Sequence, residues 1–90
     1  MARVRVSFHG TFWHITQKHD DSLELAQPTL EAVVQEMGRR YGPRFSNAVR
    51  DAGGRPMPGM IVLVDGQNAP WNTPLAENSQ VSFLSAIAGG

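Results

Sequence analysis

Val81-Ser82-Phe83-Leu84-Ser85-Ala86-Ile87-Ala88-Gly89-Gly90 is the stretch on which the reading of this sequence turns. Its first residues alternate, with Val81 and Phe83 on one side and Leu84 on the other, which is the period of a β-strand. The residues after it are poor in side chains and finish on two glycines. Glycine has no Cβ, so a Gly-Gly pair threads a slot too narrow for other residues and adopts dihedrals closed to them. Fully extended, residues 85–90 reach roughly 20 Å beyond a folded body. A slim, far-reaching carboxylate suits a protein whose own C-terminus is the reacting group. Taken alone, the dipeptide reads first as an ordinary frayed chain end; the rest of the chain has to shift that balance.

Upstream, Arg3-Val4-Arg5-Val6-Ser7-Phe8 alternates polar and apolar and predicts a half-buried strand with Val4, Val6 and Phe8 inward. Gly10 breaks the pattern, and residues 11–21 read either as a hairpin extension through Phe12, Trp13 and Ile15 or as a loop ending in His19-Asp20-Asp21. Ser22-Leu23-Glu24-Leu25-Ala26 predicts a second strand. Pro28-Thr29 opens a helix with Thr29 as N-cap, Glu31 at the positive end of the dipole and Arg39 and Arg40 in the last turn. Leu30, Val33, Val34, Met37 and Tyr41 share one face of it. Gly42-Pro43 stops that helix, and Phe45, Ala48 and Val49 predict a second, shorter helical piece. Residues 53–59, with three glycines and two prolines, are a loop. Met60-Ile61-Val62-Leu63-Val64 is an apolar strand ended by an Asp65-Gly66 turn. Pro70, Trp71 and Pro74 leave room only for a short strand or an irregular crossing before the last strand at residues 80–84. One main helix cannot cover both faces of such a sheet, so the expected architecture is a two-layer α+β arrangement.

Ninety residues hold one core. An apolar share of 41% with zero formal charge fits an ordinary globule and speaks against nucleic-acid binding driven by net charge. No apolar run approaches membrane-spanning length and no signal-peptide pattern is present, which makes the cytoplasm the default expectation. There is no cysteine, so any sulfur the protein handles must sit on something other than its own thiol. A single lysine, Lys18, stands against seven arginines, so a chain that polymerised through its own lysine amines would have one choice.

In a two-layer fold one sheet face meets solvent, and Arg3, Arg5 and Ser7 obey this. The strand at residues 60–64 does not, because Ile61 and Leu63 are as apolar as Met60, Val62 and Val64. With Leu84 added, the outer face holds apolar side chains that either receive a partner or lie under a loop carrying Trp13 or Trp71.

An N-terminal strand pair, a Pro28-Thr29-Leu30-Glu31 helix start, the Val64-Asp65-Gly66 turn, Pro74-Leu75, and a final strand leading to Ala88-Gly89-Gly90 together resemble the small sulfur-carrier proteins of the MoaD/ThiS type. The resemblance spans nearly the whole chain in element order, and is most specific in residues 81–84 and 87–90. It departs from the family in having Glu77-Asn78-Ser79-Gln80 where an Asp-Gly-Asp turn is common, and Ser85 and Ala86 where prolines are common. What the resemblance implies is a ubiquitin-like β-grasp fold: a mixed sheet of four to five strands packed on one main helix plus a short helical segment, a single domain over residues 1–90 with a flexible tail at 85–90. It further implies a carrier rather than an enzyme, with no bound cofactor and no metal. An E1-like adenylyltransferase would use ATP to adenylate Gly90, and a sulfur donor would convert it to a thiocarboxylate. That group would deliver sulfur to a sulfur-accepting synthase in molybdopterin, cysteine, thiamin or specialised-metabolite biosynthesis. Gly89 and Gly90 are then the reactive end, and Leu84, Ile61, Leu63 and Ala88 the partner-binding surface. The length and the roomy segment at residues 42–59 lean toward the molybdopterin or cysteine type, or toward a carrier dedicated to a specialised metabolite.

The alternative is a ubiquitin-like modifier joined through Gly90 to lysines, which needs the same tail and activation; a third reading is a plain binding module. His9, His14 and His19 recur every five residues, a spacing that places strand neighbours on opposite faces and favours scattered surface histidines over a metal site. Arg39, Arg40, Arg44, Arg50 and Arg55 against Asp20, Asp21 and Glu24 read first as a solvated face, and second as a field that steers an acidic partner.

Overall fold

A computed structural model describes residues 1–85. The alternation at the N-terminus builds β1 (Ala2–Phe8), with Val4, Val6 and Phe8 buried and Arg3 and Arg5 exposed. Strand β2 (Asp20–Leu25) pairs antiparallel with it, Val4 opposite Leu23, and starts two residues earlier than the alternation suggests.

The segment between these strands is neither a hairpin extension nor a loop. Thr11–Thr16 forms a short helix, α1, entered through Gly10 at φ 58° and left through Gln17 in the left-handed region, whose N–H donates to the Trp13 carbonyl at 2.7 Å. Six residues are too few for a helical period to show in sequence, and too few to be stable alone. What holds the turn is tertiary: Phe12 packs its ring 5.4 Å from Phe45 and 5.5 Å from Phe83.

The main helix, α2 (Leu30–Tyr41), starts as its sequence dictates, with Thr29 Oγ1 accepting from the Ala32 N–H at 3.2 Å. It buries Leu30, Val33, Val34 and Met37, with Tyr41 half-buried at its end. Gly42 at φ 87° turns the chain through a conformation only glycine adopts cheaply. Pro43 then occupies the first turn of α3 (Pro43–Val49), where its missing N–H costs nothing. The Gly42-Pro43 pair is thus a corner between two helices, and α3 sinks Phe45 and Val49 into the core.

Strands β3 (Met60–Val64) and β4 (Gln67–Asn68) form a hairpin over Asp65-Gly66, whose positive φ values of 51° and 86° fit a two-residue primed turn. Strand β5 (Ser79–Ser85) then inserts between β1, parallel, and β3, antiparallel. The sheet is mixed and five-stranded in the order β2-β1-β5-β3-β4, which is the β-grasp arrangement. Among the described residues two short helices, not one, accompany the main helix. Ser85, the first residue of the expected tail, belongs to β5; the rest of that tail, residues 86–90, lies outside the described residues.

The core lies between the helices and one sheet face. Phe8, Phe12, Phe45 and Phe83 are almost fully buried, and ring centroids 5.2–6.3 Å apart put them in edge-on, tilted and stacked contact.

Candidate functional site

The parity of the strands sorts the other sheet face residue by residue. Arg3 lies opposite Glu24, Arg5 opposite both Ser22 and Gln80, and Ser7 opposite Ser82, where the two hydroxyls bond at 2.9 Å. Next come Leu63 opposite Ser82 and Ile61 opposite Leu84. This face therefore runs from a charged end, where Arg3 donates to Glu24 at 3.0 Å, to an apolar end at Ile61, Leu63 and Leu84. The three apolar side chains are half-buried and adjoin one another, Leu63 being the diagonal neighbour of Leu84. Met60 pairs with Ser85 just beyond them, so the apolar end is the end at which the described residues stop. The structure thus brings Leu84, Ile61 and Leu63 together; Ala88, Gly89 and Gly90 lie outside the described residues.

Neither tryptophan is recorded on that face. Trp71 packs against the core, with the Arg50 guanidinium 5.4 Å from its ring centre, and its carbonyl accepts from the Glu31 N–H. Trp13 stands between His14 and His19, donating its indole N–H to His19 Nε2 at 3.3 Å. His9 sits apart from that pair, 3.3 Å from the Ser7 hydroxyl. Among the described residues no group of three or more His, Cys, Asp or Glu side chains gathers to hold a metal.

The arginines are largely committed to their own acids. Arg39 and Arg40 both donate to Glu36, and these bonds, with the adjacent positive charge, hold its carboxyl down at about 2. Arg40 also reaches across to Asp21 and to the Ser22 carbonyl at the sheet edge. Burial pushes Asp21 upward, but donation from the Tyr41 hydroxyl, the Ser22 N–H and Arg40 outweighs it, and the carboxyl stays below the usual range. Tyr41 is pushed up to about 12, by burial first and then by Asp21, which needs the phenol proton. Arg50 grips Glu31 with two bonds of 2.7 and 2.8 Å and lowers its carboxyl in turn. The expected separation into a basic and an acidic face is therefore partly cancelled, since Arg40 joins the two groups. None of these groups lies on the open sheet face, and their work is to fasten α2 to β2 and α3.

One feature that sequence reasoning missed lies at the root of the C-terminal segment. A cavity of about 140 Å³ opens beside Ser85, walled by Thr11, Phe12, Ala48, Met57 and Met60. It exists because α1 is a helix, and α1 left no periodic signal.

A five-stranded mixed sheet clasping one long helix, its last strand central and leading to a diglycine, defines a ubiquitin-like β-grasp protein. The chain matches the ThiS family over residues 6–90 and belongs to that family. No curated protein matches it in sequence. Among solved structures it is similar to SAMP1 of Haloferax volcanii, at 12% identity and a TM-score of 0.86, covering 99% of this chain and 100% of that one. It is similar also to Urm1 of Trypanosoma brucei, at 25% identity and a TM-score of 0.75 over 98% and 95% of the two chains. A third similar structure is a putative molybdopterin converting factor subunit 1 from Pyrococcus furiosus, at 15% identity and a TM-score of 0.77 over 97% and 100%. Family and fold together make this a sulfur-carrier or ubiquitin-like protein. Among the described residues no helix is long and apolar enough to cross a membrane.

Proposed function

We propose that this protein is a sulfur carrier that works as a co-substrate of partner enzymes in the cytoplasm. What supports the reading most is that the family match runs through to Gly90, across the residues that follow β5. The chemistry follows from the carboxylate. It is a poor electrophile because its leaving group would be oxide, so an E1-like adenylyltransferase first lets Gly90 attack the α-phosphorus of ATP, releasing pyrophosphate and leaving an acyl-adenylate. A sulfur donor then displaces AMP, and the resulting thiocarboxylate is a soft, ionised nucleophile that gives up its sulfur in the pocket of a sulfur-accepting synthase.

The chain itself supplies no acid, base, metal or cofactor in this cycle. Gly89 and Gly90 admit the backbone to a narrow activating site. Leu84, Ile61 and Leu63, at the end of the open face nearest that tail, supply the docking surface together with Ala88. A modifier uses the same first step but is attacked by an amine. Incubation with an activating enzyme, ATP and sulfide, followed by intact mass, separates the two. Exchange of one oxygen for sulfur supports the carrier, isopeptide adducts support the modifier, and an unchanged mass with no pyrophosphate exchange leaves neither.

A further inference from the structure

The apolar end of the open sheet face is small. Ile61 and Leu63 lie two residues apart on β3 and Leu84 on the neighbouring strand, so the three span roughly 10 Å. A stable protein interface buries about 800 Å² per partner, a disc about 16 Å in radius. Centred on Leu63 and Leu84, such a disc crosses β5 and β1. From Leu63 the way to Arg5 is two strands across, through Ser82 and Ser7, and two residues along, roughly 12 Å in all. What lies on that path decides the partner. The Ser7 and Ser82 hydroxyls bond to each other at 2.9 Å, with His9 Nε2 3.3 Å from Ser7, and ask for no charge in return. Arg3, further along β1, is held by Glu24 at 3.0 Å, and Asp65 accepts from the Gln80 N–H. Arg5 is exposed in a polar hollow of about 590 Å³ that Asp20, Ser22 and Gln80 also line, yet no carboxylate among the described residues pairs with it. A partner large enough to hold the apolar end therefore covers a guanidinium, and burying that charge unpaired is strongly unfavourable.

We propose that Arg5 is the charged anchor of the docking face, and that the activating adenylyltransferase sets an Asp or Glu side chain against it. The planar fork of a guanidinium meets a carboxylate through two parallel bonds, so the contact fixes direction as well as place. The apolar end supplies adhesion. Arg5, on the far side of the Ser7–Ser82 pair, stops the carrier from turning about that contact, because two anchors roughly 12 Å apart leave one angle of approach. That the partner is this enzyme rests on the carrier reading; that it is acidic rests on the open face alone.

Carbodiimide coupling, which joins an amine to a carboxylate at zero length, tests the pairing. The chain's own amines are only Lys18 and the N-terminus, so Arg5→Lys adds a single new one at position 5. The expected result is a link from position 5 to an Asp or Glu of the E1-like adenylyltransferase, located by peptide mass mapping. No link there, or a link only to the chain's own Asp20, overturns the proposal. In ATP–pyrophosphate exchange, Arg5→Gln is expected to raise KM at least about tenfold while kcat and Tm hold. The KM of the unaltered chain should climb with salt, and that of Arg5→Gln should climb far less. An unchanged KM in Arg5→Gln beside a raised one in Leu84→Asp sinks this inference and leaves the carrier reading standing. No exchange with the unaltered chain sinks the carrier reading, and with it the partner named here.

Discussion

Replacing Phe45 with alanine removes the ring on which the other core aromatics converge. Its centroid lies 5.2 Å from Phe83, 5.4 Å from Phe12, 5.9 Å from Phe8 and 6.1 Å from Tyr41, and the side chain is wholly buried. A buried Phe→Ala change costs about 3–5 kcal/mol from lost transfer energy and the cavity left behind. Edge-on ring contacts add about 0.5–1.5 kcal/mol each beyond area, so the expected loss is at the upper end, about 4–5 kcal/mol. For a small domain that is a large share of a total of about 5–15 kcal/mol, and it lowers Tm by roughly 16–40 °C. Urea unfolding read by circular dichroism measures it. Phe45→Leu, which keeps most of the volume, is the control, with an expected loss of about 1.5 kcal/mol. A loss below about 1 kcal/mol for Phe45→Ala would mean that α3 is a detachable insertion, and the packing argument would fail.

Thr29→Ala removes the acceptor for the Ala32 N–H and is expected to cost about 1 kcal/mol in the same unfolding assay. Gly66→Ala forces a side chain to φ 86° in the β3–β4 turn, and a loss of about 1 kcal/mol or more in thermal melts is expected. The Glu36 carboxyl is held at about 2, below its ordinary 4.5. Its contribution is therefore complete above pH 4.5 and fades as pH falls toward 2; with Arg39 well exposed it amounts to no more than about 1 kcal/mol. Glu36→Gln should remove that contribution at neutral pH and flatten the stability profile across the acid window. Leu84→Asp, on the apolar end of the open face, is expected to raise the KM for activation at least about tenfold while Tm holds; an unchanged KM would remove that face from the docking surface.

Legibility followed the length of each periodic signal. β1 and α2 were plain, since Val4, Val6 and Phe8 alternate and five apolar residues recur on one helical face with Thr29 ahead of them. The double apolar pattern of β3 set Ile61 and Leu63 apart from Met60, Val62 and Val64 without showing which set meets the core; the structure buries Val62. Asp65-Gly66 was legible as the turn that ends β3, because few other pairs take two positive φ values; the two-residue strand that makes it a hairpin was not. α1 was not legible: its six residues carry no complete period, and it is held by contacts to Phe45 and Phe83, both remote in sequence. The cavity at the root of the tail was hidden for the same reason, being assembled from α1, α3, the loop at Met57 and β3. The pairing of Arg40 with Asp21 joins residues 19 apart in sequence, and charge counting alone separated them.

The central claim is that the carboxylate of Gly90 is where bonds form and break. The most direct measurement is the intact mass of the full chain after incubation with an E1-like adenylyltransferase, ATP and a sulfide source, alongside a chain lacking Gly89 and Gly90. The account predicts a gain equal to sulfur minus oxygen, confined to the C-terminal fragment of the full chain and absent from the shortened one. The same gain in the shortened chain, or sulfur placed elsewhere in the full one, would contradict it.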